Sequence, residues 1–152
     1  MTDPVSYSTA TPRLGLPMLF VGQTQKEATF NEALAMIDMI VGGGVLGLRN
    51  DPPLAPSVGQ VWIVGTTPSG AFAGQSSCIA GWTEGGWRFV HPVQGMRVHD
   101  LQSGATRLYD GAWKVVSAPA APTGGAVVDS EARAALVLVL QALKTIGIFS
   151  DS

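Results

Sequence analysis

Charged residues are scarce in this sequence. Only 13% of its 152 residues are Asp, Glu, Lys or Arg, whereas about 25% is usual for a soluble domain. The formal net charge of -2 gives no broad attraction for nucleic acid or for an anionic membrane surface. We therefore expect neither of these partners. The shortage of charge also predicts that part of the surface is covered in an oligomer or a larger assembly.

Cysteine and histidine are scarce too, which argues against several kinds of chemical site. Cys78 is the one cysteine of the chain, so no internal disulfide can form, and we expect a small buried apolar side chain there. Together with His91 and His99 it lacks the close ligand spacing of a metal site. The sequence holds no G-x-S-x-G elbow. We predict no metal, no cofactor and no enzymatic activity.

Long hydrophobic runs are absent as well. Residues 134–140 form the most apolar stretch after the N-terminal third, and they fall well short of the roughly 18 residues that indicate a membrane span. The N-terminus lacks the cationic start and apolar run of a signal peptide. We expect no membrane insertion and no standard export signal.

The clearest element that is present is an amphipathic helix. Thr24 followed three residues later by Glu27 is a capping-box pattern, so a helix is predicted from there to about Val41 after an irregular arm and an extended segment, residues 14–21. Residues 42–47, GGGVLG, fit the dinucleotide fingerprint G-x-G-x-x-G, but they follow a helix rather than a strand, so we discount nucleotide binding. The apolar arc of the helix is wider than one partner surface needs. We predict an assembly interface there, formed by Phe30, Leu34, Ile37 and Val41.

The sequence of the middle of the chain predicts short β-strands between glycine-rich turns. Two segments resemble each other, GWTEGGWRFVHP (81–92) and LYDGAWKVVSAP (108–119). The first predicts a hairpin with Trp82 opposite Trp87, and the second predicts a two-residue type I′ turn at Asp110-Gly111. A further strand is predicted at residues 71–73. Together these signals predict a small antiparallel meander.

The last part of the chain predicts a second helix. Residues 117–128 form a Pro/Gly/Ala linker, Asp129 or Ser130 caps the helix, and Gly147 ends it. The helix is apolar nearly all round and must be buried, which favours a bundle of copies over docking on its own chain. Its predicted interface residues are Leu136, Leu140 and Leu143.

These elements give an α+β fold class with four segments. They are an N-terminal arm and helix (1–47), an antiparallel β body (48–116), a linker (117–128) and a C-terminal oligomerisation helix (129–152).

The β body holds candidate residues for a glycan-binding site and for a catalytic site. Exposed aromatic side chains can stack on sugar rings, and Trp82 and Tyr109, at the predicted hairpin tips, are the candidates for glycan contact. Burial in the core is the commoner use of such aromatics. A pair drawn from Glu84, Asp100 and Asp110 could act on a glycosidic bond, although turn preference explains Asp110 more simply.

Motifs along nearly the whole chain from Pro12 resemble an uncharacterised family found in alphaproteobacterial prophages and gene transfer agents. They are PRLGLPMLFVGQTQKEATFNEALAMID, GQVWIVG, GAFAG, IAGWTEGGWRF and LYDGAW, with a capped final helix ending in Gly-Ile. The family core Q-K-x-x-x-x-N-E-A-L-x-x-x-D is matched by Gln25, Lys26, Asn31, Glu32, Ala33, Leu34 and Asp38. Members commonly carry histidines where this chain has Glu27 and Phe30.

The resemblance implies a place on a phage-like particle. Family members look like virion accessory proteins, sometimes fused to receptor-binding or spike domains, and such fibres and spikes are commonly trimeric. We therefore expect a structural adaptor of a tail fibre or head spike, made in the bacterial cytoplasm, with sister subunits and other virion proteins as partners. The alternative hypothesis is a carbohydrate-binding module for host capsule polysaccharide. A third hypothesis is a capsule-degrading enzyme.

Overall fold

The chain folds as two helices and a set of short strands, an α+β arrangement as predicted. The computed structural model describes residues 26–42, 44–125 and 129–150, without the side chains of residues 26–29 and 31. The helices are α1 (Lys26–Val41) and α2 (Ser130–Thr145), and a 3-10 helix spans Gly70–Phe72. The strands are β1 (Gly44–Val45), β2 (Leu48–Arg49), β3 (Val61–Val64), β4 (Ile79–Thr83), β5 (Gly86–Val90), β6 (Arg97–Asp100), β7 (Ala105–Tyr109), β8 (Trp113–Lys114), β9 (Val116–Ser117) and β10 (Phe149–Ser150). The predicted arm, the extended segment 14–21 and Thr24 lie outside the described residues.

Eight of the strands form two four-stranded sheets of the same design, and β9 and β10 form a separate two-stranded sheet. In unit 1, defined as β2-β3-β4-β5, three antiparallel strands form a meander, and the short strand β2 pairs in parallel with the first of them. Unit 2, defined as β1-β6-β7-β8, repeats this arrangement with β1 parallel to β6. The two sheets are therefore copies of one supersecondary unit.

Backbone hydrogen bonds show how closely the two units correspond. The Gly59 amide donates to the Trp82 carbonyl at 2.9 Å, and the Gly95 amide donates to the Tyr109 carbonyl at 2.9 Å. Both glycines have positive φ, +87° and +82°, a conformation that glycine reaches at little cost. The repeat thus extends well beyond the two hairpins that were recognisable in the sequence.

The main core lies between the two units and beneath α1. It combines Val61, Ile63, Ile79 and Val90 of unit 1 with Val45 and Val98 of unit 2 and Met39 of α1. Trp113 packs against this cluster, and its indole donates to the Ser77 carbonyl at 2.8 Å. The face of unit 2 that carries Val98 and Trp113 therefore packs on the face of unit 1 that carries Ile63 and Ile79. These are opposite faces of the repeated unit.

Each end of this two-unit stack has its own cover. In unit 1 the connection between the first two meander strands has fourteen residues, 65–78, against four in unit 2, 101–104. This longer loop inserts Phe72 into a second cluster with Val64, Cys78 and Ala80. In unit 2 the Gly147 carbonyl accepts from the Thr106 amide at 2.6 Å, and β10 pairs in parallel with β9. The C-terminal segment thus covers unit 2 beside His99 and Thr106, and it leaves Lys114 exposed.

α1 lies on unit 1 through one face only. Met39 is buried, Met36 and Ile40 pack against the core, and the Glu32 carboxylate meets Arg88 of β5 at 2.5 Å. A Cβ atom at Gly81 would lie 2.7 Å from the Met39 sulfur. Glycine at position 81 is therefore what allows the helix to approach the sheet this closely.

Replacing Gly81 by alanine is expected to lower the free energy of unfolding by about 1 to 3 kcal/mol, because the added methyl must displace Met39. Urea denaturation measures the change. Gly44→Ala is the matched control, since its Cβ would sit at an ordinary 3.6 Å from Leu101. Equal losses in the two variants would contradict the close approach of α1.

α2 is capped and ended as predicted. The Asp129 carboxylate accepts from the Ala132 amide at 2.8 Å, and Gly147, with φ +72°, follows the last turn. The Ile148 amide then bonds the Leu143 carbonyl at 2.9 Å, the bond that completes a Schellman-type end. Because β9 precedes α2 and β10 follows it, both ends of the helix are tied to the same body.

Two local predictions for the β body were wrong. The turn at Asp110 has three connecting residues rather than two, so Tyr109 pairs with Trp113 and Leu108 with Lys114. Gly111 has φ +75°, as expected for the extra residue of a three-residue hairpin. Residues 70–72 form a 3-10 helix rather than a strand, because this segment inserts Phe72 beneath the sheet instead of extending the sheet.

Candidate functional site

The predicted interface residues of α1 form a row on the helix face opposite unit 1. We call this row the α1 stripe; its members are 40% to 77% exposed, and they are Phe30, Leu34, Ile37 and Val41. Covering half-exposed side chains of this size contributes about 1 kcal/mol each. The α1 stripe is therefore an unpartnered apolar surface among the described residues.

α2 exposes more apolar side chains than the three that were predicted to form its interface. None of its side chains is buried. Of the three predicted interface residues, Leu136 is exposed, whereas Leu140 and Leu143 are half-buried. Leu140 faces residues 118–121 across a groove of about 410 Å³. The most exposed large side chain of α2 is Leu138, at 69%. It lies off the predicted stripe, although the apolar residues all round the helix indicated that it would need a partner.

The aromatic residues of unit 1 gather on the sheet face away from the main core. Trp87 lies at the centre, with ring centroids 5.0 Å from Trp82, 5.7 Å from Trp62 and 4.9 Å from Phe72, all in edge-on contact. Trp82 and Trp87 are half-buried, and Trp62 is buried. The predicted pairing of Trp82 with Trp87 is confirmed.

The two predicted glycan-contact residues occupy equivalent places in the two units. Trp82 pairs with Trp87 in unit 1, and Tyr109 pairs with Trp113 in unit 2, with ring centroids 5.3 Å apart. Both Trp82 and Tyr109 are half-buried rather than open. The structure therefore places them in separate aromatic pairs rather than in one site.

The three candidate catalytic acids do not share one local environment. Asp100 is fully buried and is held by Arg107 at 2.6 Å and by the Gln102 amide at 2.9 Å. Burial raises the pKa of this carboxyl, but the bonds from Arg107 and Gln102 outweigh it and hold the pKa below its usual range. Asp110 lies exposed beside Lys114 at 2.7 Å, and hydrogen bonds from Lys114 and Gln94 lower its pKa. Glu84 lies exposed in the β4–β5 turn. Lowered pKa values are the opposite of what a general acid needs.

Cys78 is buried as predicted, but it also has a partner that was missed. Its sulfur lies 3.2 Å from the Nδ1 atom of the exposed His91 ring. The hairpin register contained the signal, since Ile79 pairs with Val90 and the next two residues along are Cys78 and His91. Burial raises the pKa of the Cys78 thiol, so the arrangement favours the protonated thiol over a nucleophilic thiolate.

The Cys78 thiol is expected to react with an aromatic disulfide reagent at pH 8 at least roughly 100-fold more slowly in the native protein than in urea, because it is buried and protonated. Absorbance of the released thiolate follows the reaction. A Ser76→Cys, Cys78→Ser variant supplies the control, since position 76 is exposed and its thiol should react rapidly in both conditions. Rapid labelling of native Cys78 would show that this site opens readily.

The residues that the structure describes contain no cluster of three or more His, Cys, Asp or Glu side chains suited to a metal ion. Within the same residues, no helix combines the length and apolar character that crossing a bilayer requires.

Comparison with known proteins places the chain in a family without assigning it an activity. No curated protein matches the chain significantly. A family model described as a protein of unknown function, DUF2793, matches residues 30–114, which include the α1 stripe and all of both units. Since this match spans more than half of the 152 residues, the chain belongs to the DUF2793 family.

Proposed function

We propose that this chain is a non-enzymatic structural protein of a phage-like virion, an adaptor or base of a tail fibre or head spike that assembles as a homotrimer. The observation that supports assembly is the exposed apolar surface of both helices, on a chain with few charges. The particle itself comes from the resemblance to prophage and gene transfer agent proteins. The DUF2793 match neither supports nor opposes that location.

The arrangement of the fold suits a spacer between two partners. The α1 stripe faces away from unit 1 and is available to another virion protein or to a sister subunit. The two units form a short stack, covered at one end by the loop that carries Phe72 and at the other by the C-terminal segment. The loop that carries Phe72 suits a terminal position in the stack, because it leaves little sheet face on unit 1 for a further unit.

A reconstruction of purified particles tests the proposal. We expect density for three copies of the chain at the base of a head spike or a tail fibre, with the α1 stripe in contact with protein. Particles from a strain that carries Phe30→Asp and Leu34→Asp should lack the appendage but keep the remaining components. Particles without the chain in the wild-type strain would contradict the virion role.

A second candidate function is a carbohydrate-binding module for host capsule polysaccharide. The half-buried pair of Trp82 and Trp87 favours it, because indole faces at a protein surface stack on sugar rings.

Glycan-array binding distinguishes this second candidate from the first. If the chain binds polysaccharide through unit 1, Trp82→Ala should abolish the signal while its thermal unfolding stays cooperative. Leu54→Ala is the control, because Leu54 is fully exposed and lies outside the aromatic cluster. No binding by the wild-type chain would remove this candidate.

A further inference from the structure

The place where α1 lies on unit 1 has an equivalent on unit 2. On unit 1 the helix uses Gly81 and Arg88, which pair across β4 and β5. On unit 2 the corresponding pair is Leu108 and Lys114 across β7 and β8. We call these two pairs the unit 1 seat and the unit 2 seat.

α2 of the same chain does not occupy the unit 2 seat. The Lys114 side chain is 55% exposed, Leu108 is half-buried, and no residue of α2 is buried. Both ends of α2 are tied to the body through β9 and β10, so the helix cannot swing freely onto the seat. Among the described residues, the unit 2 seat therefore lacks the helix that covers its equivalent.

The docking face of α1 is repeated in α2 at the same spacing. On α1, an acidic residue is followed at i+4, i+7 and i+8 by the side chains that meet unit 1: Glu32, Met36, Met39 and Ile40. On α2 the same spacing gives Glu131, Ala135, Leu138 and Val139, all exposed. Residues at these spacings share one helix face. α2 therefore presents a second copy of the face that is already seen docked on a unit.

The two surfaces combine an apolar contact with complementary charges. Where unit 1 has Gly81 against Met39, unit 2 has Leu108, and the residue of α2 at the place of Met39 is Leu138. Two leucines would therefore meet there, with α2 farther from the sheet than α1 is. The Glu32–Arg88 ion pair of the unit 1 seat, 2.5 Å long, has its counterpart in Glu131 and Lys114, which carry opposite charges.

We propose that α2 of one copy docks on the unit 2 seat of a second copy, with Glu131 paired to Lys114 and Leu138 packed on Leu108. This proposal rests on the self-assembly proposed above and names its contact. The two surfaces differ, so the interface is head-to-tail, and three such contacts close a ring. The occupant is a second copy because its own α2 repeats the docked face and carries the complementary charge.

Charge exchange across the interface tests the pairing. In sedimentation velocity over a concentration series, Lys114→Glu and Glu131→Lys should each weaken self-association about ten-fold or more, since like charges then meet. The double variant carrying both changes should return to within about three-fold of wild type, because the pair is restored with its signs reversed. Leu138→Ala alone should also weaken association. Added to either charge variant, it should not restore the association of that variant.

Two controls separate contact from general charge effects. Glu84→Lys reverses an exposed charge of unit 1 and should leave association unchanged. Asp110→Asn removes the intrachain partner of Lys114 and should also leave it unchanged. Losses that add in the double variant, or single variants that associate like wild type, would overturn this contact while leaving self-assembly standing. A wild-type monomer would overturn both.

Discussion

Replacing Asp100 by alanine is expected to lower the free energy of unfolding by about 3 to 5 kcal/mol, the largest effect of any single polar substitution in the described chain. The carboxylate is fully buried and meets Arg107 at 2.6 Å. Its loss leaves a largely buried guanidinium without its counter-ion, and it also removes the acceptor for the Gln102 and Ser103 amides. Urea denaturation of the monomer gives the value.

Unit 1 supplies the matched control for this ion pair. The register places Val64 and Ala80 of unit 1 at the positions of Asp100 and Arg107 in unit 2. A variant carrying both Asp100→Val and Arg107→Ala therefore copies an apolar pair that the same fold already accepts. It should recover most of the loss and lie within about 1 to 2 kcal/mol of wild type. A double variant as unstable as the sum of the singles would contradict the equivalence of the units.

The acid dependence of stability follows from the same carboxylate. Its pKa in the folded state lies below its usual value of 3.8. The ionised form therefore stabilises the fold at neutral pH, and this contribution disappears as the pH falls through the folded-state pKa. Stability should fall steeply below about pH 4 in wild type and less steeply in the Asp100→Val, Arg107→Ala variant. Identical acid profiles would show that Asp100 is not responsible.

Replacing Phe72 by alanine is expected to cost about 3 to 5 kcal/mol, as usual for a fully buried phenylalanine. Its ring is 0% exposed and lies edge-on to Trp87 and Phe89 at 4.9 and 6.0 Å. It is the side chain that closes the outer face of unit 1, so the aromatic cluster should loosen with it. Near-UV circular dichroism should lose the tryptophan signal before the backbone unfolds.

Phe30→Ala is the control for Phe72→Ala because it removes the same atoms from an exposed site. Phe30 is 52% exposed on the α1 stripe, so the free energy of unfolding of the monomer should change by less than about 1 kcal/mol. The measurement is made at concentrations low enough to keep the chain monomeric. Similar losses in both variants would contradict the burial of Phe72.

Elements with local signals were predictable from the sequence. α2 begins at the Asp129 cap and ends at Gly147 because short-range hydrogen bonds determine both ends. The β4–β5 hairpin was predictable because alternation and the glycine turn agree on the pairing of Trp82 with Trp87. In each case the residues that determine the structure are neighbours in the chain.

Elements that depend on distant partners were not predictable. β1 and β2 have two residues each and become strands only by pairing with β6 and β3, so they carry no periodic pattern of their own. The type I′ turn at Asp110 was favoured by its dipeptide, but a third connecting residue brings Trp113 opposite Tyr109 and against the core. Tertiary packing decided the register there.

Of the candidate surfaces, the one defined by neighbouring residues was predictable from the sequence, and the one defined by strand pairing was not. The α1 stripe was identified because helical spacing alone separates it from the docked face. The unit 2 seat was not, because Leu108 and Lys114 become the equivalents of Gly81 and Arg88 only when the registers of two sheets are compared. The weak similarity of the two hairpins was the signal that could have led to it.

Self-assembly through the two helices is the central claim, and sedimentation equilibrium of the full chain at micromolar concentration tests it most directly. The account predicts a species of three times the 15.8 kDa chain mass, which dissociates when Leu136 and Leu138 are both replaced by lysine. A wild-type chain that remains at 15.8 kDa across the concentration range would contradict it.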